Sequence, residues 1–137
     1  MGQIADIDRG ALQLRHDSVS VADILRGIRP VLQSDAERAE SVLLFDLAPG
    51  PARVHGDRVR LQEAIASILR AAIRRSVPGS RNTIELRQDA GEIVIIAGDL
   101  ALPTLDVDVA FAQRVIAAHG GVVEQRPARL CIVLRAG

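Results

Sequence analysis

The stretch VHGDRVRLQEAIASILRAAI, residues 54–73, contains the strongest secondary-structure signal in the sequence. From residue 58 onward apolar side chains recur at intervals of three and four, which is typical of a helix with one buried face. Asp57 stands directly before this segment and is suited to cap its N-terminus, while Pro78 and Gly79 mark its end. The sequence therefore predicts a long helix over residues 58–76, with a buried face of Leu61, Ala64, Ile65, Ile68, Leu69, Ala72 and Ile73.

Shorter segments on both sides of this helix predict a mixed architecture. A strand and a helix that Pro30 should kink or shorten precede it, together with a second strand. A hairpin, a helix that Gly120 and Gly121 end, and a final hairpin follow it. The expected fold is an α/β (α+β) two-layer sandwich, in which a mixed, mostly antiparallel sheet has about three helices on one face. The predicted strands cover residues 18–21, 41–47, 83–88, 92–97, 122–125 and 130–134, and the other helices cover residues 22–32 and 107–119.

Length and composition favour one domain without cross-links. The 137 residues are 48% hydrophobic with only two Phe as aromatic residues, so the core must consist of aliphatic side chains. We expect residues 1–15 to be the tail of a preceding helix or a linker, and residues 16–137 to form the domain. The single Cys131 lies in an apolar run, where a buried, unreactive thiol is expected.

The charge pattern excludes several classes of partner. Seventeen acidic residues balance seventeen arginines, which gives no reason to expect a nucleic-acid or membrane surface. There is no long apolar run and no signal-peptide pattern, so we expect a cytoplasmic domain whose parent protein could be membrane-anchored. His16, His55 and His119 lack carboxylate or Cys neighbours at ligand spacing, so neither a metal site nor a catalytic residue is proposed. For His119 the position at a helix end favours a structural role as a cation.

Several motifs in order resemble one family. The strings DIDRGALQLRHDSVSVADIL (6–25), VHGDRVRLQEAIASILRAAI (54–73), VIIAGD (94–99) and AFAQRVIAAHGGVVE (110–124) are similar to the catalytic and ATP-binding domain of histidine kinases, a Bergerat-type fold. The resemblance covers nearly the whole chain. It implies a bacterial two-component sensor, in which this domain binds Mg-ATP and supplies phosphate for His autophosphorylation.

The residues at the family's nucleotide-binding positions differ from those that the resemblance implies. Ser67 and Ala71 stand where two asparagines serve phosphate and Mg²⁺, and a methyl group cannot ligate that cation. Asp99 matches the adenine-binding carboxylate. The glycines expected after it are replaced by Ala101 and Pro103, and those at the start of the last helix by Asp106 and Asp108. Residues 100–105 are also too few for the family's mobile ATP lid.

These replacements predict weak or absent nucleotide binding. Micromolar affinity corresponds to about 8 kcal/mol. Three lost contacts to charged groups, at about 1.5–3 kcal/mol each, would remove most of it. The leading hypothesis is therefore a degenerate, pseudokinase-like domain that needs no cofactor and is not catalytically competent on its own. Its expected partners are the dimerisation and phosphoacceptor helices of the parent kinase or a protein of the response-regulator phosphorelay.

One alternative remains open. The domain could be an active or atypical ATP-binding domain that holds adenine at Asp99 and phosphate at Arg70 or Arg74. These two arginines lie one turn apart on the long helix and could form a small cationic edge. A solvated helix face explains the same arginines without a ligand.

Overall fold

The computed structural model describes residues 15–48, 50 and 52–137. Residues 1–14 of the predicted tail therefore lie outside the described residues. Within them the chain forms seven strands and three helices. In chain order these are β1 (Asp17–Ser20), α1 (Val21–Arg38), β2 (Val42–Leu47), β3 (Arg53–Gly56), α2 (Arg58–Arg74), β4 (Arg81–Asp89), β5 (Glu92–Gly98), α3 (Val107–Ala118), β6 (Val122–Arg126) and β7 (Arg129–Arg135).

The main sheet has five strands in the order β2-β4-β5-β7-β6. Strand β2 pairs with β4 in parallel, and the other three pairs are antiparallel. Along β5 the side chains of Ile93 and Ile95 are buried, whereas those of Val94 and Ile96 on the opposite face are only half-buried. The three helices share one hydrophobic core with the buried face. The predicted two-layer α+β sandwich with a mixed sheet is confirmed.

Helix α2 confirms the periodicity prediction residue by residue. Its buried side chains are the seven predicted from the apolar pattern, and they pack in the common core. The Asp57 carboxylate accepts a hydrogen bond from the Arg60 N–H, as expected of an N-cap. The sequence of this one segment therefore determines which face of the helix points towards the sheet.

Helix α1 does not end near Pro30, contrary to the sequence prediction. It continues for eight further residues to Arg38. Proline removes the hydrogen bond to the carbonyl of Arg26, but both residues lie on the exposed side of the helix, where water can bind that carbonyl. Burial of Leu32 and Ala36 on the other side stabilises the extra turns.

A second sheet of two strands was not predicted. Strands β1 and β3 pair antiparallel, with Val19 opposite Val54, and both of these side chains are buried. Strand β1 was predicted as residues 18–21, whereas β3 was missed because its four residues contain one apolar side chain, Val54, and follow a sequence rich in Pro and Gly. This small sheet brings Gly56 and Asp57 to the start of α2, where the candidate site begins.

The β4–β5 hairpin turns at Ala90 and Gly91, which have φ values of 49° and 79°. Positive φ at both central residues is the type I′ geometry that suits the twist of a hairpin. Cys131 is a free thiol buried in β7, as the sequence indicated. Among the described residues, no helix is both long and apolar enough to cross a lipid bilayer.

Candidate functional site

Helices α2 and α3 lie side by side and leave a cleft between them. Its inner part has a volume of about 180 Å³ and is lined by Arg60, Glu63, Ser67, Asp108 and Phe111 with three small aliphatic residues. The outer part, of about 340 Å³, continues along α2 towards the start of α3. It brings together four of the predicted nucleotide-site positions, which are Ser67, Arg70, Ala71 and Arg74.

The outer part of this cleft has three carboxylates beside Arg70 and Arg74. Glu63 from α2 and Asp106 and Asp108 from the start of α3 all line its outer part. The Asp106 carboxylate also accepts a hydrogen bond from the Val109 N–H over 3.0 Å, which caps α3. A helix N-terminus normally favours an anion, but here a side chain of the protein already supplies the negative charge.

Arg70 is held by a carboxylate of its own chain. Its Nε donates to Asp35 Oδ2 over 2.8 Å and its Nη2 to Oδ1 over 3.4 Å. Asp35 lies on α1 with a side chain only 2% exposed, and the hydrogen bond to it raises the pKa of Arg70. Arg74 makes a longer contact with Asp35, at 3.7 Å. The pair predicted as a cationic edge thus encloses one buried carboxylate.

Sequence reasoning missed Asp35. A signal for it was present, because Asp35 continues the apolar stripe of α1 formed by Ile28 and Leu32. An acidic residue on a buried helix face requires a partner that neutralises it. Nothing in the sequence identified Arg70 as that partner, since the two residues are 35 positions apart.

Asp99, the predicted adenine-binding residue, lies apart from the cleft. It follows β5 with φ of 59°, its side chain is exposed, and its backbone N–H donates to the Ala128 carbonyl over 2.8 Å. The next residue, Leu100, is 3% exposed and belongs to the hydrophobic core. Leu102 also packs against that core. The first part of the segment after Asp99 therefore turns Leu100 and Leu102 inward.

Gln125 fixes this segment. Its Oε1 accepts a hydrogen bond from the Leu102 N–H over 2.9 Å. Its Nε2 lies within hydrogen-bond distance of the carbonyls of Leu100, Arg126 and Arg129, at 3.3, 3.0 and 3.3 Å. One side chain of β6 thus joins the loop before α3 to the β6–β7 hairpin. Nothing in the sequence indicated this role.

His119 does not act as the cation predicted at the end of α3. Its Nε2 accepts a hydrogen bond from the Asp57 N–H over 3.1 Å, so this nitrogen carries no proton. Its Nδ1 lies 2.8 Å from the Val115 carbonyl and must be the donor. The neutral ring connects α3 to the start of α2.

Asp57 carries a perturbed carboxyl at this junction. Burial alone would raise its pKa, but the N–H groups of Arg60 and Arg15 donate to the carboxylate, and together with the Arg60 charge they hold the pKa below its usual value. Among the residues that the structure describes, no three His, Cys, Asp or Glu side chains are placed to hold a metal ion. The site is therefore a cleft of mixed charge without an assembled set of metal ligands.

Comparison with known proteins supports the fold assignment. No family model matches the chain. The structure of the histidine kinase AdeS from Acinetobacter baumannii superposes with a TM-score of 0.79 at 15% identity, over 98% of this chain and 74% of that one. The mycobacterial sensor histidine kinase MprB gives a TM-score of 0.71 at 19% identity, over 88% and 97%.

A curated sensor protein also matches in sequence. DivL from Caulobacter vibrioides is 26% identical over 96 residues, which make up 70% of this chain and 12% of DivL. The chain thus corresponds to a small part of that relative. A histidine kinase from Burkholderia phymatum gives a TM-score of 0.69 at 19% identity, over 97% of this chain and 74% of that one. The chain has the fold of the catalytic domains of sensor histidine kinases, as its sequence motifs indicated.

Proposed function

We propose that this chain is the catalytic- and ATP-binding-type domain of a two-component sensor histidine kinase, in a form that binds Mg-ATP weakly or not at all. It acts through contacts with other proteins. The observation that supports this most directly is the composition of the cleft between α2 and α3. Three carboxylates and the Ala71 methyl group line the place where the resemblance implies phosphate and Mg²⁺.

The three carboxylates at the outer part of the cleft oppose a nucleotide. A phosphate at about 4 Å from a carboxylate is repelled by roughly 1–4 kcal/mol per pair of unit charges, depending on the local dielectric. Arg70 does not compensate, because its guanidinium is bound to Asp35. Releasing it would leave a buried carboxylate without its closest partner, which is costly. Arg74 is the more exposed of the two arginines, but its charge faces the same carboxylate.

The adenine side of the proposed site is equally unfavourable. Asp99 is exposed outside the cleft, while Leu100 and Leu102 pack into the core beside it. A base that bound to Asp99 would have to displace these leucines or remain in solvent. The segment between Asp99 and Asp106 is short and held by Gln125, so it does not close over a ligand as a lid would.

The proposed partners follow from the place of such domains in sensor kinases. A domain of this fold that uses no nucleotide can still position the dimerisation and phosphoacceptor helices of its parent kinase, or a protein of the response-regulator pathway. The alternative, an active or atypical ATP-binding domain, requires Arg70 or Arg74 to leave Asp35. Both functions place the domain in phosphorelay signalling and differ in nucleotide affinity.

Titration calorimetry of the 137-residue chain with Mg-ATP and Mg-ADP separates them. We expect no measurable heat of binding and no change in melting temperature. Low-micromolar binding would overturn the proposal. If binding occurs, Asp99→Asn, Arg70→Ala and Arg74→Ala decide its location, because the alternative requires Asp99→Asn and at least one of the two arginine variants to weaken it.

A further inference from the structure

Leu105 and Val107 are the two most exposed large apolar side chains among the described residues, at 92% and 80%. They stand on either side of Asp106 at the start of α3. Single exposed apolar residues are common on soluble proteins. Two of them next to a groove indicate a surface that another molecule covers.

The groove lies between α3 and the segment that precedes it, with a volume of about 480 Å³. At about 30 Å³ per water-sized group, it has room for several aliphatic side chains. Polar lining comes from Thr104, Asp106, Gln113 and Gln125. The apolar lining is formed by Leu102, Pro103, Leu105, Val107, Val109 and Ala110.

Side-chain hydrogen bonds hold the backbone on both sides of the groove. Gln125 holds both Leu100 and Leu102, and the Asp106 carboxylate fixes the first turn of α3. Exposed leucines at a mobile loop tip would lose much conformational freedom on binding. Here the hydrogen bonds on both sides of the groove reduce the ordering cost of binding.

The charges beside the groove select the partner. Asp106 lines both the groove and the cleft between α2 and α3, and Asp108 lies two residues further along the chain. Within the described part of the chain, the ion pairs involve neither of these carboxylates. Asp106 caps α3 through the Val109 N–H and retains its negative charge. Carboxylates alternating with exposed apolar side chains complement a segment that presents apolar and basic residues together.

We infer that this groove docks an amphipathic protein helix, whose apolar side chains enter between Leu102 and Val109 while flanking Arg or Lys side chains lie against Asp106 and Asp108. The inference rests on the proposed function, because the cleft between α2 and α3 is open to a basic side chain only where no nucleotide occupies it. Helix-in-groove recognition of this kind uses apolar anchors on one helix face.

Two synthetic helices test the inference. Both have about 18 residues, or five turns, with leucines along one face. In the first the flanking residues are Arg, and in the second they are Glu. We expect the chain to bind the Arg peptide about tenfold more tightly than the Glu peptide, and raising the salt concentration to reduce the difference.

Variants of the chain locate the contact. Leu105→Ser and Val107→Thr should each weaken binding of the Arg peptide about fivefold or more, and Asp108→Asn should lower the Arg-over-Glu preference. Val77→Ser is the matched control, since Val77 is 69% exposed and does not line the groove. All four positions are exposed, so the melting temperature should change little.

Three results would overturn the inference. The first is equal affinity for the two peptides, and the second is an affinity for the Arg peptide that Leu105→Ser leaves unchanged. The third is a dimer in sedimentation that Leu105→Ser dissociates, because a second copy of the chain would then be the occupant of the groove. None of them concerns nucleotide. Calorimetry with Mg-ATP therefore tests the proposed function separately. If the chain binds neither the peptides nor Mg-ATP, the docking inference is wrong and the proposed function stands.

Discussion

His119 accepts a hydrogen bond from the backbone N–H of Asp57, and this contact joins the end of α3 to the start of α2. The ring lies against Gly56, where an added Cβ would be 2.8 Å from the His119 Nε2 and in closer contact with Cδ2. The glycine is required here for space, since its φ is not in the left-handed region. The His119 imidazole thus links the two helices that form the cleft, and it fits there because Gly56 has no side chain.

The first prediction concerns that glycine. Gly56→Ala should lower the free energy of unfolding by about 1–3 kcal/mol, because the pinned ring must move and lose its hydrogen bonds. Gly27→Ala is the control, since nothing lies within 4 Å of the added Cβ in the middle of α1, and it should stabilise by about 0.5–1 kcal/mol. Urea unfolding measures both.

A double-mutant cycle identifies the cause. In the His119→Ala background, Gly56→Ala should cost less than it does in the natural chain, because the alanine then has room. Equal costs in the two backgrounds would show that the Gly56 effect does not come from contact with the His119 ring.

The second prediction concerns the Asp57 carboxylate, whose pKa the donated N–H groups hold below its usual value. A lowered folded-state pKa stabilises the fold above the unfolded pKa of about 3.9, and this contribution is lost as the pH falls from there through the folded pKa. Asp57→Asn keeps an N-cap oxygen but does not ionise. The free energy of unfolding of the variant should therefore fall less steeply than that of the natural chain below about pH 4.

Urea titrations from neutral to acid pH measure this slope. At neutral pH the Asn variant should lack the contribution of the ionised carboxylate, and its stability should approach that of the natural chain as the pH falls, whereas Asp57→Ala should also lose about 1 kcal/mol together with the cap. If the natural chain and the Asn variant lose stability in parallel across the acid range, the charge of Asp57 has no preferential stabilising role in the folded state.

The sequence predicted those parts of the fold that local periodicity determines. The apolar spacing of α2 identified all of its buried residues, and Asp57 was recognisable as a cap because such a residue must directly precede the helix. Strand β3 was missed because its four residues contain a single apolar side chain, Val54, and therefore show no alternation. Its position depends on pairing with β1, which is distant in the chain.

The candidate site was less predictable because its contacts join distant segments. The resemblance indicated that Ser67, Ala71 and Asp106 belong to one cleft, and the structure brings them together. It gave no indication that the Asp35 carboxylate would bind the Arg70 guanidinium, or that the Gln125 side chain would form hydrogen bonds with the loop after Asp99. Those contacts involve side chains whose partners lie more than 20 residues away, and no spacing rule predicts such pairs.

The third prediction separates the two arginines of α2. Arg70→Ala should destabilise the fold by about 2–3 kcal/mol, because it leaves the buried Asp35 carboxylate with only the distant Arg74 contact. Arg74 is the matched control, being 58% exposed and 3.7 Å from Asp35, and Arg74→Ala should cost less than about 1 kcal/mol.

Adding Asp35→Asn to Arg70→Ala should recover part of the loss, since no unpaired charge then remains buried. Thermal and urea unfolding measure all of these variants. Similar costs for Arg70→Ala and Arg74→Ala would contradict the assignment of Arg70 as the principal partner of Asp35.

The fourth prediction concerns the rigidity of the segment before α3. Gln125→Ala removes the acceptor of the Leu102 N–H and the donor shared among three carbonyls, so the Leu102 amide should exchange with solvent at least about tenfold faster. Global stability should change by only about 1 kcal/mol, because Gln125 is exposed and the leucines stay in the core.

Gln125→Glu is the informative comparison, since a carboxylate retains the acceptor for Leu102 but loses the donor. Hydrogen exchange followed by NMR should show protection at Leu102 retained in the Glu variant and lost in the Ala variant, whereas equal protection in both would mean that packing of Leu100 and Leu102 alone holds the loop.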